Sequence, residues 1–172
     1  MDLSTYIRDI PDFPKEGVLF KDITPLLADP DAFHETIELI AAEYEASGVT
    51  KVLGAEARGF IFGGALAYRL GAGFIPARKP GKLPWKTTKA EYALEYGVDS
   101  LEMHVDAIAP GDRVVIVDDV LATGGTAGAK AKLVKDNGGV VAGFAFLIEL
   151  DFFHGRAQLP EGAPVFTLIH VE

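Results

Sequence analysis

Cysteine is missing from all 172 residues, which excludes disulfides and thiolate metal sites while leaving the redox compartment open. No apolar run is long enough to span a bilayer, so a membrane partner is not expected. Residues Met1 to Tyr6 lack the basic start and apolar stretch of a signal peptide, and a cytoplasmic location is the expectation. Positive charge is scarce: 16 Lys and Arg against 25 Asp and Glu give a formal net charge of −9. Nucleic-acid binding needs a basic face to neutralise phosphates, so it is not expected either. The few histidines, His34, His104, His154 and His170, show no metal-ligand spacing. Internal repeats, low-complexity tracts and linkers are also absent, and residues 1–172 read as a single domain able to bury a real hydrophobic core.

Against these absences stands one dense segment. Val114-Val115-Ile116-Val117 is a short apolar, β-branched run of the kind covered on both faces in a sheet. Asp118 and Asp119 follow it, then the small-residue turn Ala122, Thr123, Gly124, Gly125 and Thr126, then an apolar-periodic segment to about Asn137. Small residues let backbone N–H groups approach an anion closely, and a helix N-terminus behind them favours negative charge. The two acids would repel a phosphate but accept hydrogen bonds from sugar hydroxyls. The order therefore predicts a site for a phosphorylated sugar. A Walker-type Gly-Lys-Ser/Thr ending and a G-x-G-x-x-G fingerprint are both missing from this turn, which argues against those nucleotide sites.

The remaining pattern alternates. Phe33, Ile37, Ile40, Ala41 and Tyr44 predict an amphipathic helix over residues 31–47, stopped by Gly48. Strands are expected near 51–55, 73–77, 140–148 and 165–171, with a helix near 60–70. Such alternation predicts an α/β fold with a mostly parallel twisted sheet flanked by helices. The Pro-rich stretch holding Pro11, Pro14, Pro25 and Pro30 reads as irregular and folded over the sheet edge.

A second turn repeats the logic of the first. The strand near 51–55 ends in Glu56-Ala57-Arg58-Gly59 and also feeds a helix. Parallel strands present their carboxyl ends to one side, so both turns fall on one edge of the sheet. Arg58 adds a fixed charge with the forked geometry that suits pyrophosphate. One ligand phosphorylated at both ends would fit both turns. Arg78, Lys79, Lys82, Lys86 and Lys89 concentrate positive charge within residues 78–89 of an otherwise acidic chain. The polar segment 83–103 reads either as a mobile lid or as a β-hairpin with exposed tyrosines.

The segment 114–126 resembles the phosphoribosyl-pyrophosphate signature of the type I phosphoribosyltransferase family. Further pieces resemble its adenine-specific branch: Asp12-Phe13-Pro14, residues 17–25, Glu56 to Phe60, residues 78–84, Leu94 to Gly97, Glu149-Leu150 and Gly155-Arg156. This resemblance implies the type I phosphoribosyltransferase fold, with an N-terminal hood over about 1–30 and a flexible lid loop over about 83–103. It implies transfer of a 5-phosphoribosyl group from 5-phosphoribosyl 1-pyrophosphate to N9 of adenine, giving AMP and pyrophosphate in purine salvage. By the same resemblance, the 5-phosphate would sit on Ala122, Thr123, Gly124, Gly125 and Thr126, and the ribose on Asp118 and Asp119. Pyrophosphate would meet Ala57, Arg58, Arg78, Lys79 and Lys82. Adenine would lie against Leu19, Phe20 and Lys21, although Phe20 reads equally as core. Glu95 would manage a purine ring proton while Tyr96 seals the site. The resemblance further implies Mg²⁺ held mainly by substrate and water, and a homodimer. Two alternatives stay open: a transferase for another base, and a regulatory protein that binds phosphoribosyl pyrophosphate without turning it over.

Overall fold

A computed structural model describes residues 1–94 and 96–172. Its centre is a five-stranded parallel sheet. In chain order the elements are β1 (Arg8–Ile10), β2 (Phe20–Asp22), α1 (Thr24–Ala28), α2 (Pro30–Tyr44), β3 (Lys51–Ala55), α3 (Arg58–Leu70) and β4 (Gly73–Ala77). They continue with β5 (Thr87–Ala93), β6 (Val98–His104), β7 (Arg113–Leu121), α4 (Gly125–Asp136), β8 (Val140–Leu150) and β9 (Val165–Val171). The main sheet has the order β4-β3-β7-β8-β9, and every pair in it is parallel. β1 with β2, and β5 with β6, form two small antiparallel hairpins.

The β-branched run of β7 is buried on both faces because alternate side chains enter two different cores. Val114 and Ile116 pack with Leu53, Leu101, Met103, Leu133 and Val134, on the side of α4 and the β5–β6 hairpin. Val115 and Val117 pack with Ile37, Ile40, Val52, Phe62 and Leu66, on the side of α2 and α3. This two-sided burial makes β7 the spine of the fold.

Several boundaries differ from the sequence reading; β8, for one, runs on to Leu150 rather than ending near 148. α2 ends at Tyr44 rather than Ser47. The backbone N–H and hydroxyl of Ser47 both donate to the Tyr44 carbonyl oxygen, and Gly48, at φ 70°, turns the chain away. α3 begins at Arg58, two residues earlier than expected. β7 runs on to Leu121, so both acids lie within a strand, with Asp118 in register with Phe146.

The segment 83–103 contains the β5–β6 hairpin, one of the two open readings. Its polar composition hides an inward face: Ala90, Leu101 and Met103 are buried by the strand alternation, while Glu91 and Val98 are exposed. The Pro-rich start is likewise less irregular than expected, since β1, β2 and α1 order it.

Candidate active site

β3 and β7 are adjacent and parallel, so the turns that follow them open on the same rim. A cavity of about 460 Å³ lies there. It is lined by Leu19, Phe20 and Lys21 from the hood, Ala57 and Arg58 from the first turn, and Asp118, Asp119, Ala122 and Thr126 from the second. Residues from the N-terminal hood and from two turns far apart in the chain thus meet in one space.

The second turn is shaped by its glycines. Gly124 precedes α4 with φ 85°, a conformation that side chains other than glycine rarely adopt. A Cβ at Gly124 would collide with the Gly155 carbonyl, and one at Gly155 with the Ala122 carbonyl. The two backbones therefore interlock, and the loop after β8 buttresses the turn. Arg156 anchors that loop, its Nε and Nη2 donating to the Glu149 carboxylate at 2.7 and 2.6 Å, while the Thr167 hydroxyl donates to the same carboxylate. Ala122, Thr123, Gly124 and Thr126 also line a small recess of about 80 Å³ beside Asp118. On the hairpin side, Thr123, Gly124 and Gly125 face a further cavity of about 440 Å³ with Tyr92 and Ala93. The first N–H groups of a helix have no intrahelical acceptor, so α4 presents donors at this turn.

The acid pair is asymmetric. Asp118 accepts from the Asp119 backbone N–H at 3.0 Å and from the ammonium of Lys130 at 2.5 Å. Asp119 is buried, with Oδ2 2.9 Å from Arg58 Nε. That approach lacks hydrogen-bond alignment, so Asp119 Oδ2 is a buried oxygen without a hydrogen-bond donor. Burial and then the neighbouring Asp118 charge push the Asp119 carboxyl up to about 7, against the opposing pull of Arg58. The Arg58 guanidinium also lies 5.2 Å from the centre of the Phe20 ring. It therefore links the hood to the acids.

Around the first turn, Glu56 organises the basic residues. The peptide between Glu56 and Ala57 is cis. Glu56 accepts from the Lys79 backbone N–H at 2.8 Å and from Arg78 Nη2 at 3.1 Å, and these contacts hold its carboxyl below the usual range. The Lys79 ammonium turns toward the hairpin, where it meets Asp99 and the Tyr92 hydroxyl. Burial alone would lower that ammonium, but these partners more than offset it and leave it above its ordinary value. Lys82 is exposed beyond them, and Tyr96 is 87% exposed at the hairpin tip. Glu95 lies outside the described residues.

Lys21 lines the cavity while its ammonium donates to Asp9 at 2.6 Å. Phe20 packs edge-on against Phe13, their ring centres 5.1 Å apart, and keeps a face toward Arg58 and the cavity rather than joining either core.

Sequence reasoning assigned no role to Glu56, Asp99, Lys130 or Gly155. For Lys130 a signal existed: it sits with Ala127, Ala131 and Val134 on the apolar face of α4, where a lysine is out of place. Glu56 was readable as an acid ending a strand two residues before Arg58. Asp99 and Gly155 act through contacts distant in sequence, which spacing does not reveal.

Residues 23–169 match the family model described as a phosphoribosyl transferase domain. The fold, the paired acids and this match make the chain a member of the phosphoribosyltransferase family, and its curated relatives place it among the adenine phosphoribosyltransferases. The adenine phosphoribosyltransferase of Sorangium cellulosum is 59% identical over 98% of this chain and 86% of its own length. The crystal structure of adenine phosphoribosyltransferase from Rhodothermus marinus superposes with a TM-score of 0.95 at 53% identity, covering 98% of this chain and 96% of that one. The Saccharomyces cerevisiae enzyme, solved with an imino-altritol bisphosphate and adenine, gives 0.91 at 42% identity, covering 96% of each chain.

Proposed function

We propose that this chain transfers the 5-phosphoribosyl group of 5-phosphoribosyl 1-pyrophosphate to N9 of adenine, releasing pyrophosphate and forming AMP. The observation that carries the reading is the single cavity shared by the hood, the Arg58 turn, the acid pair and the α4 turn. A substrate with phosphate at both ends spans the two turns, and a base fits beneath the hood.

The residues divide the work by charge. Ala122, Thr123, Gly124, Gly125 and Thr126 hold the 5-phosphate at the start of α4. Asp119 Oδ2, buried without a donor, accepts from a ribose hydroxyl, with Asp118 beside it. Ala57, Arg58, Arg78, Lys79 and Lys82 take the pyrophosphate. Leu19 and Lys21 flank the purine, with Phe20 as its stacking face.

In the reaction the bond from C1 to pyrophosphate oxygen breaks, and its electron pair leaves with pyrophosphate. The N9 lone pair of adenine forms the new bond to C1, and the displaced purine proton passes to Glu95. Positive charge develops on the ribose between these events, so water must be excluded, which is the role proposed for Tyr96 and the segment 83–103. Preorganised charge around the pyrophosphate and ribose supplies most of the acceleration.

Bound Mg²⁺ would neutralise the departing pyrophosphate. The donor set suits an ion held mainly by substrate oxygens and water: Glu56, Asp118 and Asp119 each face a cation of the chain, and only Asp119 keeps an oxygen without a donor. Among the described residues, the cluster Glu149, Asp151 and His170 has its glutamate committed to Arg156 and Thr167.

A symmetric homodimer is part of the same reading. Its support here is the exposed stripe of Ile61, Gly64 and Tyr68 on α3. Among the described residues no helix is long and apolar enough to cross a membrane, in keeping with a proposed cytoplasmic location.

The test is incubation with 5-phosphoribosyl 1-pyrophosphate, Mg²⁺ and each free base in turn. AMP formation from adenine, far faster than nucleotide formation from hypoxanthine, xanthine or orotate, is expected. Nucleotide formed only from another base, or from none, would refute the proposal.

A further inference from the structure

Lys130 has no accessible surface, yet it carries an ammonium that no part of the reaction above requires. Its only charged partner among the described residues is Asp118, at 2.5 Å from Nζ. Ala127, Ala131 and Val134 share its buried face of α4. A buried ion pair gives little stability over an apolar pair of equal volume, so packing alone does not account for a lysine here.

The charges around the acid pair suggest what does. Two adjacent carboxylates stand where an anionic sugar phosphate must bind, and each faces one cation: Asp119 faces Arg58 from α3, and Asp118 faces Lys130 from α4. Both Asp118 oxygens are engaged from within the protein, Oδ1 by the Asp119 N–H and Oδ2 by Lys130. Asp118 in turn stands against α3, where a Cβ on Gly59 would come within 3.0 Å of Oδ1. Its carboxylate is thus fixed in place and electrically compensated before substrate arrives.

We infer that Lys130 is a positioning residue for the sugar-phosphate site: its buried ammonium cancels the Asp118 charge and locks that carboxylate, lowering repulsion of the phosphorylated substrate. This rests on the reading of the site as a phosphoribosyl pyrophosphate site. Asp119 is then the acid whose Oδ2 still lacks a donor and can accept from ribose, while Asp118 is chiefly its support. The effect reaches substrate through Asp118, so it falls on the phosphorylated substrate and spares the uncharged base.

The experiment compares the parent, Lys130→Met and the double variant Asp118→Asn/Lys130→Met in steady-state AMP formation, with circular dichroism melts to verify folding. Activity in the parent establishes the reaction independently of the variants, so failure of the inference is distinguishable from failure of the functional reading. Lys130→Met should raise KM for phosphoribosyl pyrophosphate by about tenfold or more while KM for adenine stays within about twofold. Adding Asp118→Asn removes the uncompensated charge, and KM should fall back by at least about threefold. A folded Lys130→Met whose two KM values change equally or not at all would overturn the inference, as would a double variant no better than the single. Should Lys130→Met fail to fold, a folded double variant with KM for phosphoribosyl pyrophosphate less than about tenfold above the parent supports it. A double variant that also fails to fold, or that exceeds that limit, overturns it.

Discussion

Arg58 Nε stands 2.9 Å from Asp119 Oδ2, yet the two are not aligned for a hydrogen bond, so a buried carboxylate oxygen faces a cation without receiving a proton from it. The contact compensates charge but supplies no hydrogen bond, so the buried oxygen keeps an unfilled acceptor position. It also ties the acid pair to the hood, because the same guanidinium packs against Phe20.

The first prediction concerns pH. Burial and the Asp118 charge raise the Asp119 carboxyl to about 7, so at lower pH it holds a proton and accepts poorly from ribose. KM for phosphoribosyl pyrophosphate should therefore rise several-fold as pH falls through about 7, with little change for adenine. The stability effect follows from the same shift. Folding favours the protonated form, so the group's favourable contribution is present at low pH and is lost as pH rises through about 7. Relative to the parent, Asp119→Asn should melt higher by a margin that is larger at about pH 8 than at about pH 5, while losing activity. Thermal melts and initial rates across this range check both parts.

The hood makes the second prediction. Phe20→Ala should raise KM for adenine about tenfold, while KM for phosphoribosyl pyrophosphate moves by no more than about threefold. Loss of the Arg58 contact with the ring accounts for the smaller change. Equal changes in both constants would mark Phe20 as packing rather than a base contact.

How much of this was legible in the sequence differs by element. The bounds of β3, β4 and β9 matched their apolar patterns, because each run is closed by turn residues or charge. The β5–β6 hairpin is ambiguous in sequence because its buried face consists of small or isolated apolar residues, Ala90, Leu101 and Met103, set among charges. Both turns could be read from their small residues and Arg58. The buttress of Gly155 against Gly124, and the ties of Lys79 to Asp99 and Lys130 to Asp118, depend on three-dimensional proximity that spacing does not encode.

The interlocked glycines give the third prediction. Gly124→Ala adds both a φ penalty and a collision with the Gly155 backbone. It should destabilise the protein by about 2 kcal/mol or more and abolish phosphoribosyl pyrophosphate binding. Gly17→Ala is the control, since Gly17 has φ 82° but open space around it. That variant should lose only about 1 kcal/mol in chemical denaturation and keep its activity.

The hairpin latch gives the fourth. Lys79 is held by Asp99 and Tyr92, and must leave them to meet pyrophosphate. Lys79→Met should raise KM for pyrophosphate in the reverse reaction by about tenfold, whereas Asp99→Asn, which frees the ammonium, should lower it by about twofold. Changes of the same sign in both variants would show that the pair acts only in holding the hairpin.

The central claim is that one molecule bridges the turns after β3 and β7. A crystal structure of the protein with 5-phosphoribosyl 1-pyrophosphate and Mg²⁺ tests it most directly. The expected density is continuous, with the 5-phosphate at Ala122 to Thr126, the ribose at Asp119 and the pyrophosphate at Ala57 and Arg58. Density at only one turn, or a sugar phosphate lying away from Asp119, would contradict it.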